Sequence, residues 1–434
     1  MPGALPLHER VVVSNVARNN AYQVAEAAEA AGYLKKFVTS IYYKPSSMLG
    51  RALHGLAVRS GDRARQRIEL RRSTLIPDEK VIDIPIPELV EESVSQIGAR
   101  LGIDKRPVTY LKNEVFDWLV ARRHVEPCTI FHGWEQCALY SLRKARALGA
   151  ITVLDQPIIH RTTLDRIERE ERARHGVPSP GKKPFWFDQH VARKYEELKL
   201  ADYVFGGLDY VKETMVENGF PADRVFTIPY GTDTERFQPI ARPPREGFEI
   251  LYVGPLNFWK GLPYLFDVME GLAIPGARLT LIGRDDPDWR PYFDRRMAAL
   301  GDRVRYLGTV PNTEIPPFHE AADVMVFPSV VGGLGIVCFE AMATALPLVT
   351  SSGDVILRDG VDALVVPHQD IEGWRRALRR LAADRDYRLA LGAAGADRLK
   401  QFTWDTYRRG VVRAYDEIAA REGARHEAST SRAR

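Results

Sequence analysis

Residues Phe327–Pro347, FPSVVGGLGIVCFEAMATALP, form the stretch that decides the fold. They follow an apolar run, Val324–Phe327, that predicts a buried strand, and they continue into an apolar segment that predicts a helix. Between the two lie Gly332, Gly333 and Gly335, which let the backbone approach a ligand closely. The helix that follows presents free amide groups and the positive end of its dipole, which suits phosphate. This order predicts a parallel α/β sheet with a ligand at the carboxyl end of a strand.

Short apolar runs alternate with amphipathic segments on both sides of this stretch. Such repetition of strand and helix predicts parallel sheets with helices on both faces. In the first half of the chain the predicted strands are Val11–Ser14, Phe37–Ser40, Thr129–Phe131, Ile151–Leu154, Tyr203–Phe205 and Phe226–Ile228. In the second half they are Ile250–Val253, Arg278–Ile282, Arg305–Leu307, Val324–Phe327, Leu348–Thr350 and Ala363–Val366.

The chain has 434 residues, which is too long for one ordinary core. Gln238–Gly247 combines prolines, charges and a glycine, so it predicts a linker. We therefore predict two Rossmann-like domains, over residues 1–240 and 246–400. An amphipathic helix is predicted over 402–420, and the small polar residues 421–434 predict a disordered tail.

Composition excludes some classes of function. The 61 basic and 57 acidic residues give a net charge of only +4, so no nucleic-acid partner is expected. The three cysteines lack metal-ligand spacing and favour a reducing, cytoplasmic compartment. The first residues lack the pattern of a signal peptide, and no apolar run approaches the roughly 20 residues of a membrane span. Peripheral contact with the inner face of a membrane stays open.

Two further side chains stand where chemistry is expected. Lys260 lies in Leu251–Met269, LYVGPLNFWKGLPYLFDVM, after a strand that ends at Gly254 and before a helix. A lysine there can neutralise a diphosphate leaving group, although a lone loop lysine is more often a solvated charge. Glu340 lies inside the helix after the glycine loop, where its carboxylate can accept two hydroxyl hydrogens from a ribose or hexose. A capping role for Glu340 is the alternative.

The pattern PS-x-x-x-G-x-G-x-x-x-x-EAMA-x-x-LP resembles the donor-site signature of the family 4 (group 1) glycosyltransferases. The resemblance implies the GT-B fold, in which two Rossmann-like domains face a cleft and a C-terminal helix crosses back to the first domain. It implies retaining transfer from a nucleotide-diphosphate sugar, without cofactor or metal. Lys260 matches the family's phosphate-binding lysine and Glu340 its ribose-binding glutamate. Two departures are clear, because Gly332 replaces a glutamate that contacts the donor sugar and Pro255 replaces an arginine.

The same resemblance implies a set of site residues. Asp155 and His160 match a D-x-x-x-x-H element whose histidine faces the donor sugar, and His132 is a rival because it also follows a strand. The implied catalytic residues are His160, Lys260 and Glu340. The implied donor-binding residues are Gly254, Lys260, Gly308, Thr309, Val310, Gly332, Gly333, Leu334, Gly335, Ile336, Val337 and Glu340.

Other features have two interpretations. The acidic segment Gly283–Asp288 suggests a metal site, but a turn after a strand explains it equally well. The segments Arg63–Ser73 and Gly181–His190 could touch an anionic membrane or a lipid-linked acceptor, or they are ordinary solvated faces. We expect a hexosyltransferase acting on a polysaccharide, glycolipid or small-molecule acceptor. The alternatives are a catalytically degenerate nucleotide-binding or assembly protein, and a phosphorylase or epimerase of the same fold.

Overall fold

The structure is a computed structural model that describes residues 5–17, 19–45, 47–59, 61, 68–69, 71–101, 106–179, 181, 184–233, 236–352 and 356–432. Its first sheet is parallel throughout, with strand order β3-β2-β1-β4-β5-β6-β7. The strands are β1 Val11–Asn15, β2 Leu34–Thr39, β3 Val81–Asp83, β4 Ile130–Trp134, β5 Ile151–Gln156, β6 Tyr203–Gly206 and β7 Val225–Thr227. The strand order reverses between β1 and β4, which creates a crevice at their carboxyl ends.

The second sheet is also parallel and has the order β10-β9-β8-β11-β12-β13. Its strands are β8 Phe248–Val253, β9 Ala277–Ile282, β10 Val304–Tyr306, β11 Val324–Phe327, β12 Leu348–Thr350 and β13 Leu364–Val365. Here the order reverses between β8 and β11. The loops after these two strands contain Lys260 and the glycine loop, so the topology brings the two motifs side by side.

Helices cover both sheets. Those of the first half are α1 Ala21–Ala30, α2 Met48–Arg59, α3 Ile86–Leu101, α4 Arg106–Arg123, α5 Leu139–Ala147, α6 Arg161–Arg174, α7 Phe185–Leu200 and α8 Asp209–Glu217. Those of the second half are α9 Leu262–Glu270, α10 Arg290–Leu300, α11 Pro316–Ala321, α12 Ile336–Ala343, α13 Ile371–Ala383, α14 Arg385–Leu399 and α15 Trp404–Arg432. Each sheet has its own apolar core.

The predicted fold class is confirmed, and each predicted strand overlaps an observed one within a few residues. Buried strands of parallel sheets are nearly continuous apolar runs, which is why their positions were readable. Strand β3 was missed because it is a three-residue edge strand with only one fully buried residue, Val81. The helices α2, α3 and α4 lie in a part of the chain for which the sequence analysis predicted no elements.

The predicted linker, residues 238–247, contains neither helix nor strand. The prediction of a disordered tail from residue 421 is wrong, because α15 continues to Arg432. Two kinds of contact favour helix there. Tyr203 on β6 donates its hydroxyl to Glu422 at 2.5 Å, and Arg421 and Arg425 pair with acids one helical turn earlier. Helix α15 packs against α1 in the first half of the chain.

Most of the basic segment Arg63–Ser73 lies outside the described residues. Among the helices that are described, none combines the length and the apolar character needed to cross a membrane.

Candidate functional site

A cavity of about 490 Å³ lies between the carboxyl ends of the two sheets. The second half of the chain supplies eight of the predicted donor-binding residues to its wall: Gly254, Lys260, Gly332, Gly333, Leu334, Gly335, Ile336 and Val337. The first half supplies Asn19, Asn20, Pro157, Ile158, Ile159, Leu164, Leu208, Val211 and Tyr230. Both halves of the chain therefore contribute to one cleft.

The glycine loop depends on backbone conformations that other residues adopt poorly. Gly332 has φ +52° and Gly333 has φ +82°, both in the left-handed region. Gly335 caps the start of α12, and a Cβ on it would lie 3.3 Å from the Phe327 ring. The loop therefore turns tightly, and α12 begins at the cavity, where Gly335, Ile336 and Val337 line the wall.

Lys260 is a half-buried cation without a carboxylate within 4.0 Å in the described part of the chain. Its Nζ lies 5.1 Å from the ring centre of Phe327 and 5.3 Å from that of Trp259. Burial lowers the pKa of Lys260 to about 8, because a poorly solvated ammonium is disfavoured. Aromatic faces compensate only part of a charge, so the site favours an incoming anion.

Local hydrogen bonds hold Lys260 in place. Asn257 accepts a hydrogen bond from the Lys260 backbone amide at 3.0 Å. Gly261 has φ +73°, and a Cβ on it would lie 1.8 Å from the carbonyl oxygen of Pro328. Residues 257–261, the lysine turn, are thus packed directly against Pro328, which connects β11 to the glycine loop.

The turn at Gly254 is similarly constrained. Gly254 has φ +150°, and the Tyr252 hydroxyl donates to the Pro255 carbonyl oxygen at 2.7 Å. Pro255 itself is exposed on the cavity wall and adds no charge there.

Glu340 lies one helical turn after Ile336, on the same side of α12. Its side chain is buried, and Asn312 Nδ2 donates to Oε1 at 2.9 Å. Oε2 is buried and has no hydrogen-bond partner within the described residues. Burial raises the pKa of Glu340, and the Asn312 bond and Arg236 oppose that shift. A buried oxygen with an unused lone pair is an acceptor for a ligand hydroxyl.

The predicted base-contacting residues are on a separate loop after β10. Gly308 has φ +70° and its carbonyl oxygen accepts from the Gly283 amide at 2.8 Å. Thr309 is exposed and Val310 is half-buried. These three do not line the cavity, but the same loop continues to Asn312, which contacts Glu340.

His160 is buried and caps helix α6. Its Nδ1 accepts from the Thr162 amide at 3.3 Å, and its own amide donates to Thr214 Oγ1 at 3.0 Å. The preceding Ile158 and Ile159 line the cavity, whereas His160 does not. Burial lowers the pKa of His160, so the ring is neutral at pH 7 and suited to accepting the amide hydrogen.

His132 belongs to the core of the first half. It is fully buried, its Nδ1 lies 2.7 Å from the Tyr415 hydroxyl, and its ring stacks on Trp134. Burial lowers its pKa to about 3. Asp155, also buried, accepts from Asn20 Nδ2 at 2.9 Å, and burial raises its pKa to about 7. These residues connect α15 to the sheet behind the cavity.

The acidic segment Gly283–Asp288 forms a turn. Asp285 pairs with Arg290 at 2.9 Å, and Asp286 accepts from the Asp288 amide at 3.1 Å. Within the described residues, no group of three or more His, Cys, Asp or Glu side chains is placed to hold a metal ion.

The sequence analysis missed several residues that shape the site. Asn257 sits three residues before Lys260, which is the spacing of a capping asparagine and was readable. Asn312 follows a proline in a loop and has no comparable pattern. Leu208 and Tyr210 come from the start of α8 and cover the glycine loop: a Cβ on Gly332 would lie 2.3 Å from the Tyr210 ring. Only the tertiary structure places them there.

Comparison with known proteins supports this description. Residues 247–384 match the family model described as "Glycosyl transferases group 1". The chain is 28% identical over 298 residues to the D-inositol 3-phosphate glycosyltransferase of Xylanimonas cellulosilytica, an alignment that covers 62% of this chain and 69% of that protein. It is 29% identical over 211 residues to the phosphatidyl-myo-inositol mannosyltransferase of Mycobacterium leprae, covering 47% of this chain and 53% of that protein.

Solved structures share the whole architecture. Anabaena HepE, crystallised with UDP and glucose, has a TM-score of 0.61 at 12% identity and covers 94% of this chain and 99% of its own. Sucrose-phosphate synthase from Thermosynechococcus elongatus has a TM-score of 0.57 at 20% identity, with coverage of 94% and 99%. At such identities the likeness establishes the fold alone. Together these findings show that the chain carries a group 1 glycosyltransferase domain over residues 247–384 and has the two-domain GT-B fold.

Proposed function

We propose that this protein transfers a hexose from a nucleotide-diphosphate sugar to a glycan, glycolipid or small-molecule acceptor, with retention of anomeric configuration. The observation that carries the proposal is the unpaired Lys260 ammonium beside the glycine loop, in a cavity between the two domains. A cation and a helix N-terminus that face the same space have the chemistry of a diphosphate site.

In this proposal the diphosphate binds between Lys260 and the first amides of α12. Negative charge develops on the diphosphate as the bond from the sugar to phosphate breaks. Lys260 stabilises that charge, and it does so more strongly in a cavity with a largely apolar wall than it would in bulk solvent. Asn257 fixes the lysine turn, so the ammonium needs little reorganisation during the reaction.

Glu340 accepts hydrogens from the ribose hydroxyls through its unpartnered Oε2. Asn312 holds the other carboxylate oxygen and thereby orients the group. The loop of Gly308, Thr309 and Val310 leads into Asn312, so backbone groups of that loop lie on the same side as the ribose and meet the base.

The sugar then lies between the glycine loop and the residues of the first half. Double displacement needs a nucleophile on the side of the sugar opposite the leaving group. The described cavity wall contains no acidic side chain, so a front-face reaction is favoured. In that reaction the departing phosphate oxygen accepts the proton of the acceptor hydroxyl while the new glycosidic bond forms. His160 acts here as a positioning residue, because it caps the helix that follows the wall residues Ile158 and Ile159.

The test is a binding and turnover panel over UDP-, GDP- and dTDP-sugars, with the wild type beside Glu340→Ala. Thermal shift reports binding, and release of nucleoside diphosphate reports turnover. We expect donors that carry one particular base to raise the melting temperature of the wild type and to raise that of Glu340→Ala far less. Once the donor is known, the glycan and lipid fractions of cell lysates serve as sources of the acceptor.

The alternatives give different results in the same panel. Donor binding without release of nucleoside diphosphate, for every acceptor fraction tried, would favour a nucleotide-binding protein without activity. Release of inorganic phosphate from a glycan would point to a phosphorylase. A wild type that no donor stabilises would contradict the proposed site itself.

A further inference from the structure

Helix α6 connects the two walls of the cleft. It follows Ile158 and Ile159, which line the cavity, and it begins directly after His160. Toward its other end it packs against the lysine turn of the second half. One helix of the first half therefore reaches across the boundary between the domains to the turn that contains Lys260.

Arg172, in the last turn of α6, makes the contact with the second half. Its side chain is almost fully buried, and its guanidinium carbon lies 5.0 Å from the ring centre of Phe258. Arg172 Nη1 donates to the carbonyl oxygens of Pro178 and Asp288, each at 3.4 Å. Its Nε donates to Glu168 at 3.2 Å. Because Phe258 and Asp288 belong to the second half, Arg172 is a cation of one domain that is buried against the other.

Phe258 anchors the lysine turn in the core of the second half. It lies two positions before Lys260 and is only 1% exposed. Its ring centre lies 5.2 Å from that of Trp289 and 5.6 Å from that of Tyr292. Arg172 adds a contact with this ring from the first half, and a cation near an aromatic face is attracted by the ring. Loss of the arginine side chain would leave a gap beside Phe258 into which the turn can shift.

Glu171, the neighbour of Arg172, contacts the chain on the other side of Lys260. Tyr264 on α9 donates its hydroxyl to Glu171 Oε2 at 2.5 Å, and both side chains are buried. Helix α9 begins at Leu262, two residues after Lys260. Two consecutive residues of α6 thus contact the chain before and after Lys260, and together they limit the movement of its backbone.

The position of the Lys260 ammonium depends on this backbone. The lysine side chain is flexible, and among the described residues no carboxylate within 4.0 Å holds its ammonium. Arg172 itself does not line the cavity. We propose, on the basis of the proposed function, that Arg172 is a positioning residue for the transfer reaction: through Phe258 it holds the lysine turn so that the Lys260 ammonium faces the diphosphate.

The experiment measures the dissociation constants of inorganic pyrophosphate, UDP, GDP and dTDP by calorimetry at pH 7. Methionine has a similar length to arginine but no charge, so Arg172→Met should bind pyrophosphate and the preferred nucleoside diphosphate about fivefold more weakly, because the ammonium is displaced. Arg172→Lys keeps a cation beside Phe258 and should bind them only about twofold more weakly. Arg169→Met removes an exposed arginine of the same helix, and this matched control should bind as the wild type.

Two further measurements distinguish positioning from a general loss of structure. In the double variant Arg172→Met with Lys260→Ala, the affinity should equal that of Lys260→Ala alone, because Arg172 acts through Lys260. In Arg172→Met alone, the fall in nucleoside diphosphate affinity from pH 7 to pH 9 should be smaller than in the wild type. A lysine released from its packed turn is better solvated, so its pKa rises toward the ordinary value of about 10.4. The Cys338 thiol near Lys260 does not titrate in this range, since burial raises its pKa to about 12.

The outcomes separate this inference from the proposed function. Wild-type affinity in Arg172→Met, with weak binding in Lys260→Ala, would overturn the inference and leave the proposed function intact. An additive loss in the double variant, or an unchanged pH dependence in Arg172→Met, would likewise overturn the role of Arg172. If Arg172→Met does not unfold cooperatively, Arg172→Lys takes its place in the same comparisons. Failure of every nucleoside diphosphate to bind the wild type would overturn the proposed function, and this inference with it.

Discussion

The two walls of the cleft differ in how many of their residues could be predicted from the sequence. The wall from the second half includes Gly254, Lys260 and the loop Gly332–Val337, which follow strands and which the sequence predicted. The wall from the first half consists of residues such as Leu208 and Tyr230, and the predicted His160 does not line it. The wall from the second half contains short sequence motifs, whereas the wall from the first half contains residues that the tertiary fold places opposite those motifs.

The difference has a chemical meaning. Phosphate binding requires backbone amides and a cation in a fixed local arrangement, so it leaves a motif in a short stretch of sequence. Contact with a sugar or acceptor requires shape and a few side chains from several loops, which leaves no short pattern. If this interpretation holds, changes in the wall from the second half should affect phosphate binding, and changes in the first half should affect contact with the sugar or acceptor.

The largest effect is expected at Lys260. Lys260→Ala removes the one cation that the described cavity wall offers to the proposed diphosphate, so turnover should fall at least tenfold, measured as release of nucleoside diphosphate in a donor-dependent transfer assay. Lys400→Ala, an exposed lysine in the same half of the chain, is the control and should behave as the wild type. Equal turnover in Lys260→Ala and the control would contradict the assigned role.

The pKa of Lys260 predicts a pH dependence of nearly the same size. Burial lowers this pKa to about 8, so the ammonium is charged at pH 7 and mostly neutral at pH 9. Affinity for nucleoside diphosphate should therefore fall by about tenfold from pH 7 to pH 9, measured by calorimetry. Lys260→Arg keeps its charge over this range, so an equally steep fall in that variant would assign the titration to another group.

A smaller effect is expected at Glu340. Glu340→Gln keeps the shape of the side chain but replaces one acceptor oxygen by a donor, so nucleoside diphosphate should bind about five- to tenfold more weakly. Inorganic pyrophosphate has no ribose, and its affinity should not change. A parallel loss for both ligands would mean that Glu340 acts on the phosphates or on the fold of α12, and not on the ribose.

The smallest effect is expected at His160. His160→Ala removes the cap of α6 and should lower the free energy of unfolding by about 1 kcal/mol, with a loss of only a few-fold in kcat/KM. Asparagine is a good cap, so His160→Asn should restore stability and most of the activity. Normal stability in His160→Asn combined with a severe loss of kcat would instead show that the ring contacts the sugar, as the resemblance implied.

Much of the second half could be predicted because its site residues lie next to each other along the chain or directly after apolar strands. The sequence predicted Glu340 as a site residue but did not predict its burial. Its hydrogen bond to Asn312 could not be predicted either, because the two residues are 28 positions apart. The end of α15 could not be predicted, because residues 421–432 are small and polar and are held as helix by side-chain pairs and by Tyr203. Local composition favours disorder there, whereas the ion pairs of Arg421 and Arg425 and the Tyr203 hydroxyl favour helix at the start of the segment.

By itself the sequence determined the two parallel sheets, the glycine loop, the lysine turn and the group 1 glycosyltransferase motifs of the second half, since each depends on hydrophobic periodicity or on residues within one short segment. The tertiary structure alone decided that Tyr210 and Leu208 cover Gly332 and Gly333, that His160 caps a helix, and that Lys260 has no carboxylate beside it among the described residues. Those facts depend on distances between residues far apart in sequence, and such distances are set only when the two cores pack and their strand ends face each other across the cleft.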